Sequence, residues 1–270
     1  MFYNEGNIYR SSILDIPGTA HGFATRRGGV SSCPHTREMN LAAGHGDTDE
    51  IVLRNTDIFV SEVTLGKFSA TSAVTAPQIH STKIRVITRE MCGEGVTREA
   101  EEKCDGFVTD MRGVVPIVRV ADCVPIVMCA VREDGTPVVG AFHAGWRGTA
   151  AGMATEGIKA MCSLGARPSD IRAAIGAHIG SCCFEVKDDM FDSVAELRGI
   201  EFASRHIREH DGALFADLSG MNLELLLSAG VSKENIDISS ECTCCESEKY
   251  HSHRKTGGLR GALGAAVAIL

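Results

Sequence analysis

The segment from Val114 to Phe142 constrains the fold more than any other. It carries three runs of β-branched and apolar residues, Val114–Val120, Ile126–Val131 and Pro137–Phe142, with Asp134-Gly135 standing between the last two. Short apolar runs bounded by turn residues read as buried strands. Asp-Gly tolerates the positive φ that a tight hairpin needs. The centre of the chain is therefore expected to be a β-hairpin too apolar to lie at a solvated surface.

Helical signals surround this centre. Thr48 precedes Asp49 and Glu50, which predicts an N-cap followed by carboxylates at the positive end of a helix. Ile51, Val52, Ile58, Phe59 and Val63 then share one helical face. Residues Thr149–Leu164, Val186–Leu197 and Leu218–Ala229 predict further helices, and Ser72–Ala76, Ile84–Thr88 and Ile171–Ile175 predict short strands. Strands and helices mixed in irregular order point to an α+β fold, a mixed β-sheet sandwich flanked by helices. No low-complexity linker, internal repeat or long charge block interrupts the chain, so residues 1–270 read as a single domain.

Composition removes several classes of function. Hydrophobic residues at 44% and charged residues at 23% exclude a disordered chain, a collagen and a coiled coil. Lys and Arg number 27 against 35 Asp and Glu, a net charge of −8, which argues against a nucleic-acid surface. The most apolar stretch, Gly261–Leu270, falls well short of the about 20 residues a helix needs to cross a bilayer. The first residues lack the basic and apolar regions of a signal peptide, so a cytoplasmic location with no membrane partner is expected, with a monomer the favoured state. In that compartment the 11 cysteines are expected to be free thiols, metal ligands or a nucleophile rather than a disulfide framework.

Three residues stand out as ligands. If the hairpin pivots on Asp134-Gly135, His143 lies opposite Ile126, and Cys123 is three positions further out, about 10 Å along a strand. Pro125 cannot donate to a ladder, so the regular strand is expected to begin after it. Cys123 then sits in the loop before one strand and His143 just after its partner, at the same end of the hairpin. His80, in Gln78-Ile79-His80-Ser81, falls between two predicted strands where a loop can project it. Two histidines and a cysteine separated by 43 and 20 residues match no zinc finger, but they suit a catalytic metal site whose fourth position is open. The string His143-Ala-Gly145-Trp-Arg147-Gly148-Thr149 reads as a glycine loop with Thr149 capping the next helix. Its free N–H groups and the Arg147 fork suit an anion. Cys242, Cys244 and Cys245, near His251 and His253, form a second group of soft ligands. Reduced thiols need no metal to persist, so this group and Cys182-Cys183 are read as packing.

The same strings carry a family resemblance. His21-Gly22-Phe23, Thr25-Arg26 and Gly28-Gly29-Val30-Ser31, then Asn40-Leu41 and Gly46-Asp47, resemble the N-terminal signature of the laccase-domain, or multicopper polyphenol oxidase, family, also called the peptidoglycan editing factor family. Gln78-Ile79-His80, Ala121-Asp122-Cys123-Val124-Pro125 and His143-Ala144-Gly145-Trp146-Arg147-Gly148 resemble its central motifs. Ile175-Gly176, Cys183-Phe184-Glu185-Val186, Asp217-Leu218 and Cys242-Thr243 follow in its order. The likeness spans about residues 21 to 261, and the chain departs from it at Ala177-His178, where the family commonly has Pro-Cys.

What the resemblance implies is an α+β domain also likened to a bacterial toxin's cysteine-hydrolase domain, with zinc on His80, Cys123 and His143, which are also the expected catalytic residues. It implies phosphorolysis of adenosine, inosine and methylthioadenosine, with adenosine deamination as a related activity. Copper-dependent oxidation of phenols is the alternative, and amidase editing of a peptidoglycan precursor, by zinc or with Cys123 as nucleophile, a further one. For a purine nucleoside and inorganic phosphate as partners, Arg26 and Arg147 are the expected phosphate contacts and Asn40 a contact to the base. Arg254 ranks below them. Asp122 is expected either to orient a ligand or to cap backbone N–H groups. About one zinc per chain is the expectation.

Overall fold

The computed structural model describes residues Met1 to Leu270. Two six-stranded sheets form the frame. The first runs in the order β1 (Phe2–Glu5), β2 (Ile8–Ser11), β3 (Thr19–Ala24), β15 (Leu263–Ile269), β7 (Val115–Val120) and β4 (Ala73–Val74). The second runs β14 (Ile236–Ile238), β10 (Arg172–Ile175), β8 (Val124–Val131), β9 (Pro137–Ala144), β6 (Gly106–Thr109) and β5 (Ile84–Val86). A small third sheet joins β11 (Glu185–Val186), β13 (Ala213–Ala216) and β12 (Ile207–His210). The helices are α1 (Asp49–Val63), α2 (Trp146–Ala151), α3 (Met153–Ser163), α4 (Asp188–Arg198), α5 (Ile200–His206), α6 (Leu218–Ser228) and α7 (His253–Thr256). None is long and apolar enough to cross a membrane.

The period-2 geometry of strands sorts the apolar residues into layers. In β8, Val127 and Cys129 face the first sheet, while Val124, Ile126, Met128 and Ala130 face the opposite side. In β15, Ala265, Val267 and Ile269 meet them between the sheets, while Ala266 and Ala268 face outward, on the side where Gly264 lies against Leu41 and Phe59. The outer face of the second sheet is covered by Met153, Ile158 and Met161 of α3 and by Met190, Val194, Phe202, Met221 and Leu225 of α4 to α6. Phe59, Val60 and Val63 of α1 cover the outer face of the first. The result is a mixed α+β sandwich of helix, sheet, sheet and helix layers, built because the central strands are apolar on both faces.

Local expectations hold at α1, where the Thr48 side chain accepts the Ile51 N–H. Three others are corrected. Arg132 N–H donates to Thr136 O and Gly135 adopts φ 82°, so the hairpin closes through a bulged three-residue loop rather than a two-residue turn. The register slips by one, and His143 pairs with Pro125 instead of Ile126. Pro125 thus lies inside β8, which begins at Val124, and His143 lies inside β9 rather than beyond it. The expected helix over Thr149–Leu164 starts earlier and is broken by Gly152 at φ 97°, a left-handed position that favours glycine. Gly145 is the N-cap, and Thr149 sits inside α2 with its hydroxyl donating to Ala144 O.

Candidate metal centre

His80, Cys123 and His143 converge at one end of the central hairpin. Their nitrogen and sulfur ligand atoms all lie within 4.8 Å of one another. Cys123 Sγ is 3.8 Å from His80 Nε2, close to the about 3.6 Å edge of a tetrahedron with ordinary zinc–nitrogen and zinc–sulfur bonds. The two imidazoles meet edge to face, with centroids 4.9 Å apart. His143 is buried and His80 exposed, so the group opens to solvent on the His80 side.

One carboxylate assembles this end. Asp105, fully buried ahead of β6, accepts the N–H groups of Ile79, His80 and Ser81 and the Ser81 hydroxyl. It also accepts Nδ1–H of His143 at 2.8 Å. That bond leaves Nε2 of His143 as the free ligand atom, the usual outer partner of a metal-bound imidazole. His80 has φ 59° and Asp122 φ 88°, two of the four non-glycine residues with positive φ. Such backbones persist only where surroundings over-determine them. Asp105 does this for His80. For Asp122, Thr243 Oγ1 and the Arg254 N–H hold its two carboxylate oxygens, at 2.6 and 2.7 Å.

The charges are coupled through the same contacts. Burial opposes ionisation of Asp105, yet its hydrogen bonds from His143 and Ser81 hold it down to about 2. Burial pushes the Cys123 thiol up, but His143 and His80 bring it down to about 6. Burial pulls His143 down, and Asp105 with Cys123 raises it to about 9. The thiolate is thus favoured, which is the form that binds metal. Gly145 completes the cradle: a Cβ there would meet His80 Cδ2 at 2.6 Å and Cys123 Sγ at 3.3 Å.

The remaining expected residues are dispersed. Arg147 is exposed beside the centre, its guanidinium 4.2 Å above the Trp146 ring. Arg26 donates to the carbonyls of Arg37 and Ser247, bracing two loops. Asn40 is buried, its amide donating to Ala42 O and Asp47 and its oxygen accepting from Ala42 and Ala262, so no donor or acceptor is left for a base. Arg254 donates to the carbonyls of Cys183 and Glu185. Asp122 behaves as the local cap.

Two residues escaped sequence reasoning. Asp105 carries no motif of its own in Cys104-Asp105-Gly106, and only the fold shows what it collects. Arg260 lines a cleft of about 350 Å³ with Arg26, His251 and Lys255. Its Nε is buried without a hydrogen-bond partner, and burial pulls its guanidinium below the usual range. A cationic cleft in a chain of net charge −8 concentrates positive potential where anions would otherwise be repelled.

Residues 20–270 match the family model of the multi-copper polyphenol oxidoreductase laccases. The chain belongs to that family. Among the proteins it resembles is the purine nucleoside phosphorylase YlmD of Geobacillus stearothermophilus, 33% identical over 93% of this chain and 90% of that one. Another is the adenosine deaminase RL5 of an unknown prokaryotic organism, 31% identical over 90% and 93% of the two chains. Of solved structures, that of the hypothetical protein YfiH of Bacillus licheniformis superposes with a TM-score of 0.89 at 29% identity, covering 100% of this chain and 99% of that one. The YlmD structure from G. stearothermophilus gives 0.84 at 30%, covering 99% and 98%.

Proposed function

We propose that this protein is a zinc-dependent purine nucleoside phosphorylase, converting adenosine, inosine or methylthioadenosine and phosphate to free base and sugar 1-phosphate. Adenosine deamination is a second activity of the same centre. The observation that carries the reading is the three-ligand group of His80, Cys123 and His143, and the cationic cleft lined by Arg26, Lys255 and Arg260 adds an anion site. Relatives named as purine nucleoside phosphorylases and as an adenosine deaminase support it.

His80, Cys123 and His143 would hold the zinc, which would supply Lewis acidity when bound. The chain's own residues do the rest. Asp105 fixes the tautomer and the ring plane of His143 and the backbone of the His80 loop. Arg260, its Nε unpartnered, and Lys255 bind phosphate in the cleft, with Arg147 a further anion contact. In phosphorolysis a phosphate oxygen forms a bond to the ribose anomeric carbon as the bond from that carbon to the purine nitrogen breaks. An anion held close to the sugar raises the rate of that step by positioning. Two histidines in the centre suit one metal ion better than the several coppers of a multicopper oxidase. Cys123 as a ligand is also withdrawn from service as an amidase nucleophile.

The test is base release from adenosine and inosine with and without phosphate, followed by chromatography. Release should require phosphate and yield the sugar phosphate. Arg260→Ala should raise the phosphate KM by about tenfold or more, with Arg260→Lys intermediate because it keeps charge without the fork. Release that ignores phosphate would replace the phosphorylase with a hydrolase.

A further inference from the structure

We propose that Cys182, Cys183, Cys242 and Cys245 bind a second metal ion, a structural zinc that ties together the two loops bracing Asp122. The four sulfurs lie within 4.8 Å of one another although the two pairs are some 60 residues apart in sequence. Cys245 Sγ is 3.6 Å from that of Cys182 and 3.4 Å from that of Cys183. The edge of a zinc tetrathiolate tetrahedron is about 3.8 Å, from bonds of about 2.3 Å. A disulfide needs about 2.05 Å, and all of these cysteines are free. The sequence expectation grouped Cys244 with Cys242 and Cys245. The fold instead puts Cys244 outside and brings in Cys182-Cys183.

The local backbone is built for a charged sulfur. Gly180 N–H donates to Cys242 Sγ at 3.2 Å. Cys242 and Cys245 have the two-residue spacing of a zinc knuckle. Four thiolates close the coordination sphere, so this site has no place for substrate, in contrast to the three-ligand group at His80. Binding exchanges four thiol protons for one divalent ion, with no change in oxidation state.

The site has a structural task. Thr243, inside the Cys242–Cys245 turn, donates its hydroxyl to Asp122. Arg254 donates its N–H to Asp122 and its guanidinium to the carbonyl of Cys183, inside the other loop. The four-sulfur site therefore fixes both supports of a residue with φ 88°, directly before Cys123.

The experiment counts metal in full-length protein purified under reducing conditions, loaded with zinc and freed of excess. Wild type should hold about two ions per chain, Cys123→Ala about one, and a Cys183→Ser, Cys245→Ser double variant about one. Cobalt(II) added to Cys123→Ala should show the intense absorption of tetrahedral thiolate coordination, which decides the matter even if the double variant misfolds. Zinc should also slow alkylation of the exposed Cys182 and Cys245. Wild type with about one ion and Cys123→Ala with none would overturn the site. A disulfide joining Cys245 to Cys182 or Cys183 in anaerobically purified protein would do the same. These counts are independent of turnover, so they stand or fall separately from the phosphorylase reading.

Discussion

Replacing Gly145 with alanine isolates the metal centre from the fold. Gly145 has φ −62° and ψ 167°, a conformation any residue adopts, so the backbone accepts the change. Alanine caps a helix less well than glycine, an effect of about 1 kcal/mol or less on the metal-free protein. The added methyl would stand 2.6 Å from His80 Cδ2, where carbon atoms normally rest about 3.5–4.0 Å apart. The imidazole must therefore retreat by about 1 Å, while a zinc–nitrogen bond of about 2.0–2.1 Å has no such latitude. Zinc affinity should fall about 10- to 100-fold, the range seen when a metal ligand's support is lost. Turnover at limiting zinc should fall with it. Thermal unfolding with chelator present should be nearly unchanged, and competition against a chromogenic chelator should show the loss. Wild-type zinc affinity in Gly145→Ala would mean that His80 is not a ligand, and the three-residue centre would have to be abandoned.

Other consequences follow from buried charge. Asp105→Asn cannot accept the five donors that the carboxylate serves, and should destabilise the chelated protein by about 3 kcal/mol or more in urea while weakening zinc binding about 10- to 100-fold. Glu94→Ala leaves the Arg85 guanidinium buried without its 2.6 Å partner and should cost about 3–5 kcal/mol by the same assay. Burial holds His21 at about 3 and His251 at about 4. Both are neutral in the fold yet protonate near 6.5 when unfolded, so their contribution is complete above about pH 6.5 and is lost as pH falls towards those values. Urea midpoints should drop over that interval, and less steeply in His251→Asn; equal slopes would show that His251 does not titrate as its burial requires.

The central hairpin, the Thr48 cap and the convergence of His80, Cys123 and His143 were legible because each is written locally, as an apolar run, a capping oxygen or a short motif. The register was not. One extra loop residue decides it, and Asp134-Gly135 fits a two-residue turn as well as the bulged loop that forms. Asp105 was illegible for a different reason: its value lies in donors from residues 79–81 and 143, which only sheet pairing brings to it. The cysteines show the same limit. Cys244 looked equivalent to its neighbours, but the turn aims it into the helix-side core beside Met221 and Leu225's cluster, while Cys182 and Cys183 approach from the other loop. Asn40 looks available to a substrate because it is polar and follows a glycine-rich stretch, whereas the chain's own carbonyls and amides occupy it, and Arg26 spends two of its donors on loop carbonyls.

The position of β15 sets an order of events during synthesis. Leu263–Ile269 lies between β3 and β7, antiparallel to both, and is buried throughout. A ribosome adding about 5–20 residues per second exposes β3 long before its neighbour exists. Until then both β3 and β7 present unpaired edges, the arrangement most open to pairing with another chain. The second sheet needs no such late arrival, because its strands β5 to β14 all precede residue 239. The nascent protein can therefore assemble the sheet that carries Cys123 and His143 first, and the sheet that covers it closes only when the last strand is delivered.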